Sequence, residues 1–246
     1  MPTAAVIVIG EEILSGKFAD ENGPWLIARL RALGCDLRRL VVVGDEPDAI
    51  ADEVRRCAAT HDHVLTTGGV GPTHDDRTFE GIGLGLGAPL AEHPELLVLL
   101  DAYGLPRTET NLRMVRVPVG AVLERGGGGF PTVRVGNVWV FPGVPVLMRA
   151  RFESLAPAFA GEPVRTERVE VERREVEVAA AIEDVARAFP SVGIGSYPRY
   201  DDGGRERRVV ITLEARDPDA LAAALERLAS DLGVSASRLS KEGSDR

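Results

Sequence analysis

Four acids and a run of glycines are the residues best suited to do chemistry. Between positions 64 and 78 the chain reads Val-Leu-Thr-Thr-Gly-Gly-Val-Gly-Pro-Thr-His-Asp-Asp-Arg-Thr. Val64-Leu65 predicts a buried strand that passes through Thr66 and Thr67 into a glycine turn at the mouth of a helix. Gly68, Gly69 and Gly71 permit positive φ and let backbone N–H groups approach a ligand without Cβ interference. A helix N-terminus behind such a turn favours negative charge, so a phosphate is the natural guest. Asp75 and Asp76 follow, and two carboxylates beside a phosphate require a cation between them. An oxygen-ligated divalent ion, Mg²⁺ by preference, would serve. The structural alternative is a tight strand–helix turn with Asp75 or Asp76 as N-cap and first-turn charge. Thr73 and the paired acids favour binding.

Those residues need a frame. Ala4 to Ile9 predicts a strand, and Gly10-Glu11-Glu12-Ile13-Leu14-Ser15-Gly16 is a loop at its carboxyl end. In open α/β sheets that edge is where ligands bind. Asp20, Glu21 and Asn22 precede a helical pattern running from Trp25 to Leu33. Asn22 suits its N-cap, Pro24 its first turn and Gly34 its C′ position. Capping therefore competes with a ligand role for Asp20 and Asn22. Leu37 to Val43 is a second strand ending in Gly44-Asp45, whereas Glu46 and Asp48 read as helix-start charge. A second amphipathic helix carries Ile50, Val54, Cys57 and Ala58, and the third strand is His63 to Thr67. Alternation of strand and helix predicts a parallel sheet with right-handed crossovers. Three strands would thus bring acids or glycines to one rim.

The segment from Asp75 to Gly87 is helical in pattern but holds glycines that cost about 1 kcal/mol each against alanine. It either packs closely or is loose. Further helices are expected over Pro94 to Tyr103 and Thr108 to Arg116. The latter carries Asn111, Arg113 and Arg116, which suit either a phosphate or a solvated face. Gly126 to Gly129 reads as a loop tip or a second backbone cradle. Val133 to Val135 and Val138 to Phe141 form a hairpin across Gly136-Asn137. Pro142 and Gly143 then place bare backbone near the same rim, before a helix from Val146 to Phe159. A boundary falls near Pro157 to Pro163. Beyond it Arg165 to Val178 alternates like a strand, with a slip at Arg173-Arg174. A helix (Ala179 to Phe189), two strands (Val192 to Tyr197, Arg207 to Glu214) and a helix (Pro218 to Leu232) complete a small α+β unit. A polar tail follows from Ser235.

Bulk properties bound the function. The chain has 246 residues, 44% apolar and 27% charged, as in ordinary soluble globular proteins. No apolar run is long enough to span a membrane, and no basic segment precedes the first strand, which argues for the cytoplasm. A net charge of −9 disfavours nucleic acid as a partner. Cys35 and Cys57 lie in apolar segments and read as buried thiols. His61 and His63 have a spacing that suits metal chelation, although surface polarity is the commoner reason; His74 lies inside the central loop. There is no Ser/His/Asp set, Walker lysine or G-x-G-x-x-G.

The loops resemble those of the molybdopterin-binding, MoaB/MogA-like domain, in the branch found in the amino-terminal halves of CinA proteins and eukaryotic FAD synthases. The resemblance is carried by Ile9-Gly10-Glu11-Glu12-Ile13-Leu14-Ser15-Gly16 with Asp20 and Asn22, Val43-Gly44-Asp45, Thr66 to Thr78, and Phe141-Pro142-Gly143-Val144-Pro145. It covers roughly residues 4–155. The carboxyl-terminal piece, with Gly195-Ser196-Tyr197-Pro198, is similar to the KH-type domain that follows in CinA. Two positions differ from the CinA pattern: Glu11 stands where Asp is usual, and Leu147 where Glu is common.

The resemblance implies a three-layer α/β/α, mostly parallel sheet over residues 1–160, a small α+β KH-type domain over 161–234, and a tail over 235–246. It implies Asp45 and Asp76 as the functional pair, with Gly68, Gly69, Gly71, Pro72, Thr73, Asp20, Asn22, Pro142 and Gly143 lining the pocket. Asp45, Asp75 and Asp76, with Glu12, are the expected ligands for Mg²⁺, or for Mn²⁺ or Co²⁺. The expected activity is metal-dependent hydrolysis of a pyrophosphate such as ADP-ribose or FAD. The alternatives are molybdopterin binding in molybdenum-cofactor assembly and a non-catalytic nucleotide-binding module. The expected ligand is a nucleotide or pterin phosphate, and a homo-oligomer is expected, since relatives assemble as dimers or trimers.

Overall fold

The computed structural model describes residues 1–126 and 129–234. The chain divides into two compact units, Met1–Glu162 and Pro163–Arg246. In the first, β1 (Thr3–Ile9), β2 (Asp36–Val43), β3 (His63–Thr67), β6 (Val122–Glu124), β7 (Thr132–Val135) and β8 (Val138–Phe141) form one sheet in the order β2-β1-β3-β8-β7-β6. The β1–β2, β1–β3 and β3–β8 pairs are parallel, and the last two are antiparallel.

Alternation along β1 explains the layers. Ala5, Ile7 and Ile9 point to one face, where they pack with α3 (Pro47–Ala58), α4 (Thr78–Leu86) and α5 (Pro94–Ala102) through Ile50, Val54, Ile82 and Leu100. Ala4, Val6 and Val8 point to the other, against Leu26 and Leu30 of α2 (Asn22–Ala32) and Met148 and Phe152 of α7 (Pro145–Leu155). With both faces covered, β1 reads as a continuous apolar run. Register does the rest: Ile9 is level with Val43, Val8 with Thr67, and Thr67 with Phe141. The loops starting at Gly10, Gly44, Gly68 and Pro142 therefore leave one edge side by side.

Several expectations change. The loop after β1 holds a short helix, α1 (Glu11–Leu14). Helix α4 begins at Thr78, not at Asp75, because Asp76 is drawn into a turn with Thr73. The glycine-rich α4 is not loose. A Cβ on Gly81 would stand 2.5 Å from the Ile50 side chain, and one on Gly85 2.8 Å from the Ala51 carbonyl oxygen, so α4 packs on α3. The helix expected over 108–116 is only α6 (Glu109–Leu112) and a 3₁₀ turn. Arg116 starts β5 (Arg116–Pro118), which pairs with β4 (Leu90–Glu92) and buries Val117. The helix expected to reach Phe159 ends at Leu155 and continues as a 3₁₀ turn.

In the second unit, β9 (Arg165–Val171), β10 (Gly193–Tyr200) and β11 (Glu206–Ala215) form an antiparallel sheet ordered β10-β11-β9. Helices α8 (Glu175–Ala188) and α9 (Pro218–Leu232) bury Val178, Val185, Leu221 and Leu228 with that sheet. Val176 and Val178 thus lie on a helix, not on the strand their alternation suggested. Glu177 decides this locally, its carboxylate reaching back to accept the Arg174 N–H at 2.8 Å. The tail from Ser235 and two of the glycines between 126 and 129 lie outside the described residues. No helix among the described residues is long and apolar enough to cross a membrane.

Candidate functional site

The rim of parallel strand ends is built around two glycines. Gly68 has φ +103°, and a Cβ there would lie 2.1 Å from the Ile9 carbonyl oxygen. Gly69 has φ +59°, and a Cβ would meet the Thr78 hydroxyl at 2.5 Å. Thr78 holds the turn from behind: its hydroxyl donates to Gly68 O at 2.8 Å and its N–H to Gly69 O at 3.0 Å. The Gly68 N–H does not face a ligand, since it donates to Phe141 O at 3.3 Å and prolongs the β3–β8 ladder. Among the described residues no acceptor takes the N–H groups of Gly69, Val70 or Gly71.

The acids come from three loops. Asp45 leaves β2, and its Oδ2 accepts the Glu11 N–H at 3.1 Å. Burial raises its proton affinity above the ordinary carboxylate value, partly offset by that hydrogen bond, and Glu12, Asp75 and Glu11 add like charge. Asp76 Oδ2 accepts both the N–H and the hydroxyl of Thr73. Gly71 makes room for it, because a Cβ would lie 2.7 Å from that oxygen. The Thr73 carbonyl is held in turn by Arg113 at 2.8 Å. Arg116 instead pairs with Glu92 and Glu109.

A buried network ties the third side together. Asn22 is not the N-cap of α2. Asp20 does that work, its carboxylate accepting the N–H groups of Asn22 (2.9 Å) and Gly23 (3.0 Å). The freed Asn22 side chain donates to Thr67 Oγ1 at 2.8 Å and to Gly143 O at 2.7 Å, while the Thr67 hydroxyl donates to Pro142 O. Gly143 comes so close that a Cβ would sit 3.1 Å from the Gly68 Cα.

These loops enclose a cleft of about 500 Å³. Of the residues expected from sequence, Glu12, Asp20, Asn22, Asp45, Gly68, Gly69, Thr73, Asp75, Asp76 and Gly143 line it. Pro72 and Pro142 do not, and Gly71 opens on an adjoining cleft that shares Asp76 and contains Arg113 and His74. Thr67, Phe18 and Val144 also line the main cleft and were not anticipated. Thr67 had a signal, a hydroxyl at a strand's carboxyl end. Val144 had one in the Phe141-to-Pro145 motif that carries the resemblance, and Phe18 had none.

A family model described as probable molybdopterin binding domain matches residues 5–161. The chain belongs to the molybdopterin-binding domain family. A second model, described as FAD synthase, middle domain, matches residues 163–238. A protein of Archaeoglobus fulgidus is 35% identical over 196 residues, which cover 79% of this chain and 85% of that relative. A probable FAD synthase of Caenorhabditis briggsae is 31% identical over 258 residues, covering 92% of this chain and 49% of that protein. Among solved structures, the CinA protein of unknown function from Thermoplasma acidophilum is similar at 31% identity and a TM-score of 0.59. That match covers 64% of this chain and 98% of the other.

Within the molybdopterin-binding domain the acids share one cleft without converging on one point. Among the described residues no group of three or more His, Cys, Asp or Glu side chains is arranged to hold a metal ion. Glu12 turns back over Gly10, and Glu11 lies over Gly44, outside the cleft lining. The donor set is hard oxygen, raised in charge density around Asp45. It suits an ion held by one or two carboxylates and a ligand's phosphates, rather than an all-protein cage. His61 is bonded to Cys57 O, and His63 packs its ring against Trp139 and Phe159, with burial lowering its proton affinity. Cys35 and Cys57 are buried free thiols, that of Cys35 pushed up to about 11 by burial.

Proposed function

We propose that the cleft of the molybdopterin-binding domain takes a phosphate-bearing pterin of the molybdopterin class, in keeping with a role in molybdenum-cofactor handling. The observation that carries this reading is the meeting, in one cleft, of the unengaged Gly69 amide, the Asn22 network and the acid loops, with the unengaged amides of Val70 and Gly71 in the adjoining cleft that shares Asp76. A phosphate would lie against those amides. Phe18 and Val144, exposed at the cleft, offer an apolar wall for a flat ring.

A second reading is hydrolysis of a dinucleotide pyrophosphate such as ADP-ribose or FAD. It is favoured by the crowding of acids around Asp45 and by the match of residues 163–238 to the FAD synthase middle domain. Asp45, Asp75 and Asp76, with Glu12, would hold Mg²⁺, or Mn²⁺ or Co²⁺. Such an ion, when bound, lowers the pKa of its water and offsets charge on phosphate. The chain's own part is to present the pyrophosphate to these carboxylates on the glycine turn.

Calorimetric titration with molybdopterin, ADP-ribose and FAD, each with and without Mg²⁺, tests both. Preferential binding of molybdopterin is the expected result. Tighter dinucleotide binding with release of AMP moves the conclusion to the second reading, and dinucleotide binding without turnover under any metal selects a binding module. Binding of none removes all three.

A further inference from the structure

We propose that Asn22 is a specificity residue of this cleft, its Oδ1 accepting a hydrogen bond from an N–H or O–H group of the bound ligand. The inference rests on reading the cleft as a pterin or nucleotide phosphate site. Asn22 is only 6% exposed, and its Oδ1 is buried with no hydrogen-bond partner, yet the residue lines the cleft. Its amide cannot be turned round. Nδ2 gives one hydrogen to Gly143 O at 2.7 Å and the other to Thr67 Oγ1 at 2.8 Å. Thr67 uses its own hydrogen on Pro142 O at 3.0 Å, so its oxygen must receive from Asn22. A flipped amide would set two carbonyl oxygens against each other. The acceptor left over is therefore Oδ1.

The fold gives that acceptor no task. Asp20 already satisfies the first N–H groups of α2, so the Asn22 side chain is not needed as a cap. Buried polar atoms without partners are costly and uncommon, and a ligand donor would complete this one. The complementary chemistry is a hydrogen-bond donor held at a fixed distance from the phosphate. A pterin's exocyclic amine supplies one, and so does a nucleotide's sugar hydroxyl. A site built around such a bond discriminates strongly against analogues that lack the donor.

The test pairs ligands with and without the donor. Wild-type protein and Asn22→Ala are titrated with hydroxymethylpterin phosphate and its lumazine counterpart, in which the ring amine becomes a carbonyl. They are also titrated with ADP-ribose and its deoxyribose analogues. In one pair the wild type is expected to lose about tenfold or more in affinity without the donor, and the affected pair identifies which donor is read. Asn22→Ala should bind both members of that pair alike. Equal binding of every pair by the wild type, or a preference that survives in Asn22→Ala, overturns the inference and leaves the site reading intact. Failure of both parent ligands to bind removes the site reading and the inference together. Where Asn22→Ala does not fold, the wild-type pairs decide alone.

Discussion

Thr73 and Asp76 close the acid loop on itself, one carboxylate oxygen accepting both the backbone N–H, at 2.8 Å, and the side-chain hydroxyl of the threonine. The turn is thereby set before any ligand arrives, with the second Asp76 oxygen left for other work. Asp76→Asn keeps an oxygen for the Thr73 bonds and removes the charge. Its melting temperature should stay close to wild type, corresponding to a loss of about 1 kcal/mol or less. Any hydrolysis of ADP-ribose should fall by about a hundredfold or more. Undiminished turnover in this variant would rule out the hydrolytic reading.

Gly68→Ala forces a side chain into a left-handed conformation and onto the Ile9 carbonyl oxygen, 2.1 Å from the new Cβ. Backbone cannot yield as a flexible side chain would. Urea denaturation should show a loss of about 3 kcal/mol. A loss under about 1 kcal/mol would mean that β1 and the turn are not in this contact.

Gly85→Ala sets two effects against each other. Alanine favours an exposed helix over glycine by about 1 kcal/mol. Here the Cβ would stand 2.8 Å from Ala51 O and 3.2 Å from Ala51 Cα, and overpacking costs about 1–3 kcal/mol. Because the clash is with backbone, the cost should win, and the variant should be less stable in chemical denaturation. A gain in stability would contradict the close α3–α4 contact.

Asp45 makes stability depend on pH in the direction opposite to most carboxylates. Its proton affinity is raised in the fold, first by burial and then by Glu12, Asp75 and Glu11. The folded chain therefore keeps a proton that the unfolded chain has released. The stability this provides is present at low pH and declines as pH rises from the unfolded value, about 3.9, through the folded one. Asp45→Asn keeps an acceptor for the Glu11 N–H and removes the like charge. Its melting temperature should exceed that of wild type at neutral pH, with the gap closing in acid. Mg²⁺ should raise the wild-type melting temperature and leave Asp45→Asn unmoved. Identical pH profiles would mean that the acids are not coupled, and an absent Mg²⁺ response would remove the cation from the proposal.

Elements whose periodicity is local could be read directly. The alternation of Ala5, Ile7 and Ile9 against Ala4, Val6 and Val8 needs only two covered faces, and β3 runs from His63 to Thr67 as its apolar pattern indicates. Glycines at 68 and 69 announced a positive-φ turn, and both have it. Where tertiary pairing competed with local preference, the pattern misled. Arg116 looked helical beside Asn111 and Arg113, yet pairing with β4 and burial of Val117 made it extended. Val176 and Val178 alternate like a strand, but the reach of Glu177 to Arg174 starts a helix there.

From sequence alone came the family, the parallel sheet and the set of loops carrying acids and glycines, because each depends on residues near one another in the chain. Only the tertiary structure could say what those groups do to each other. It commits the Gly68 amide to Phe141, turns Glu11 away over Gly44, and hands the α2 cap to Asp20. It also leaves the Asn22 oxygen without a donor beside the cleft. Those outcomes depend on the register of β1, β3 and β8, which sets Gly68 against Ile9 and Asn22 against Gly143. Such distances arise only when segments far apart in the chain are packed together, as in the Asn22–Gly143 bond with its separation of 121.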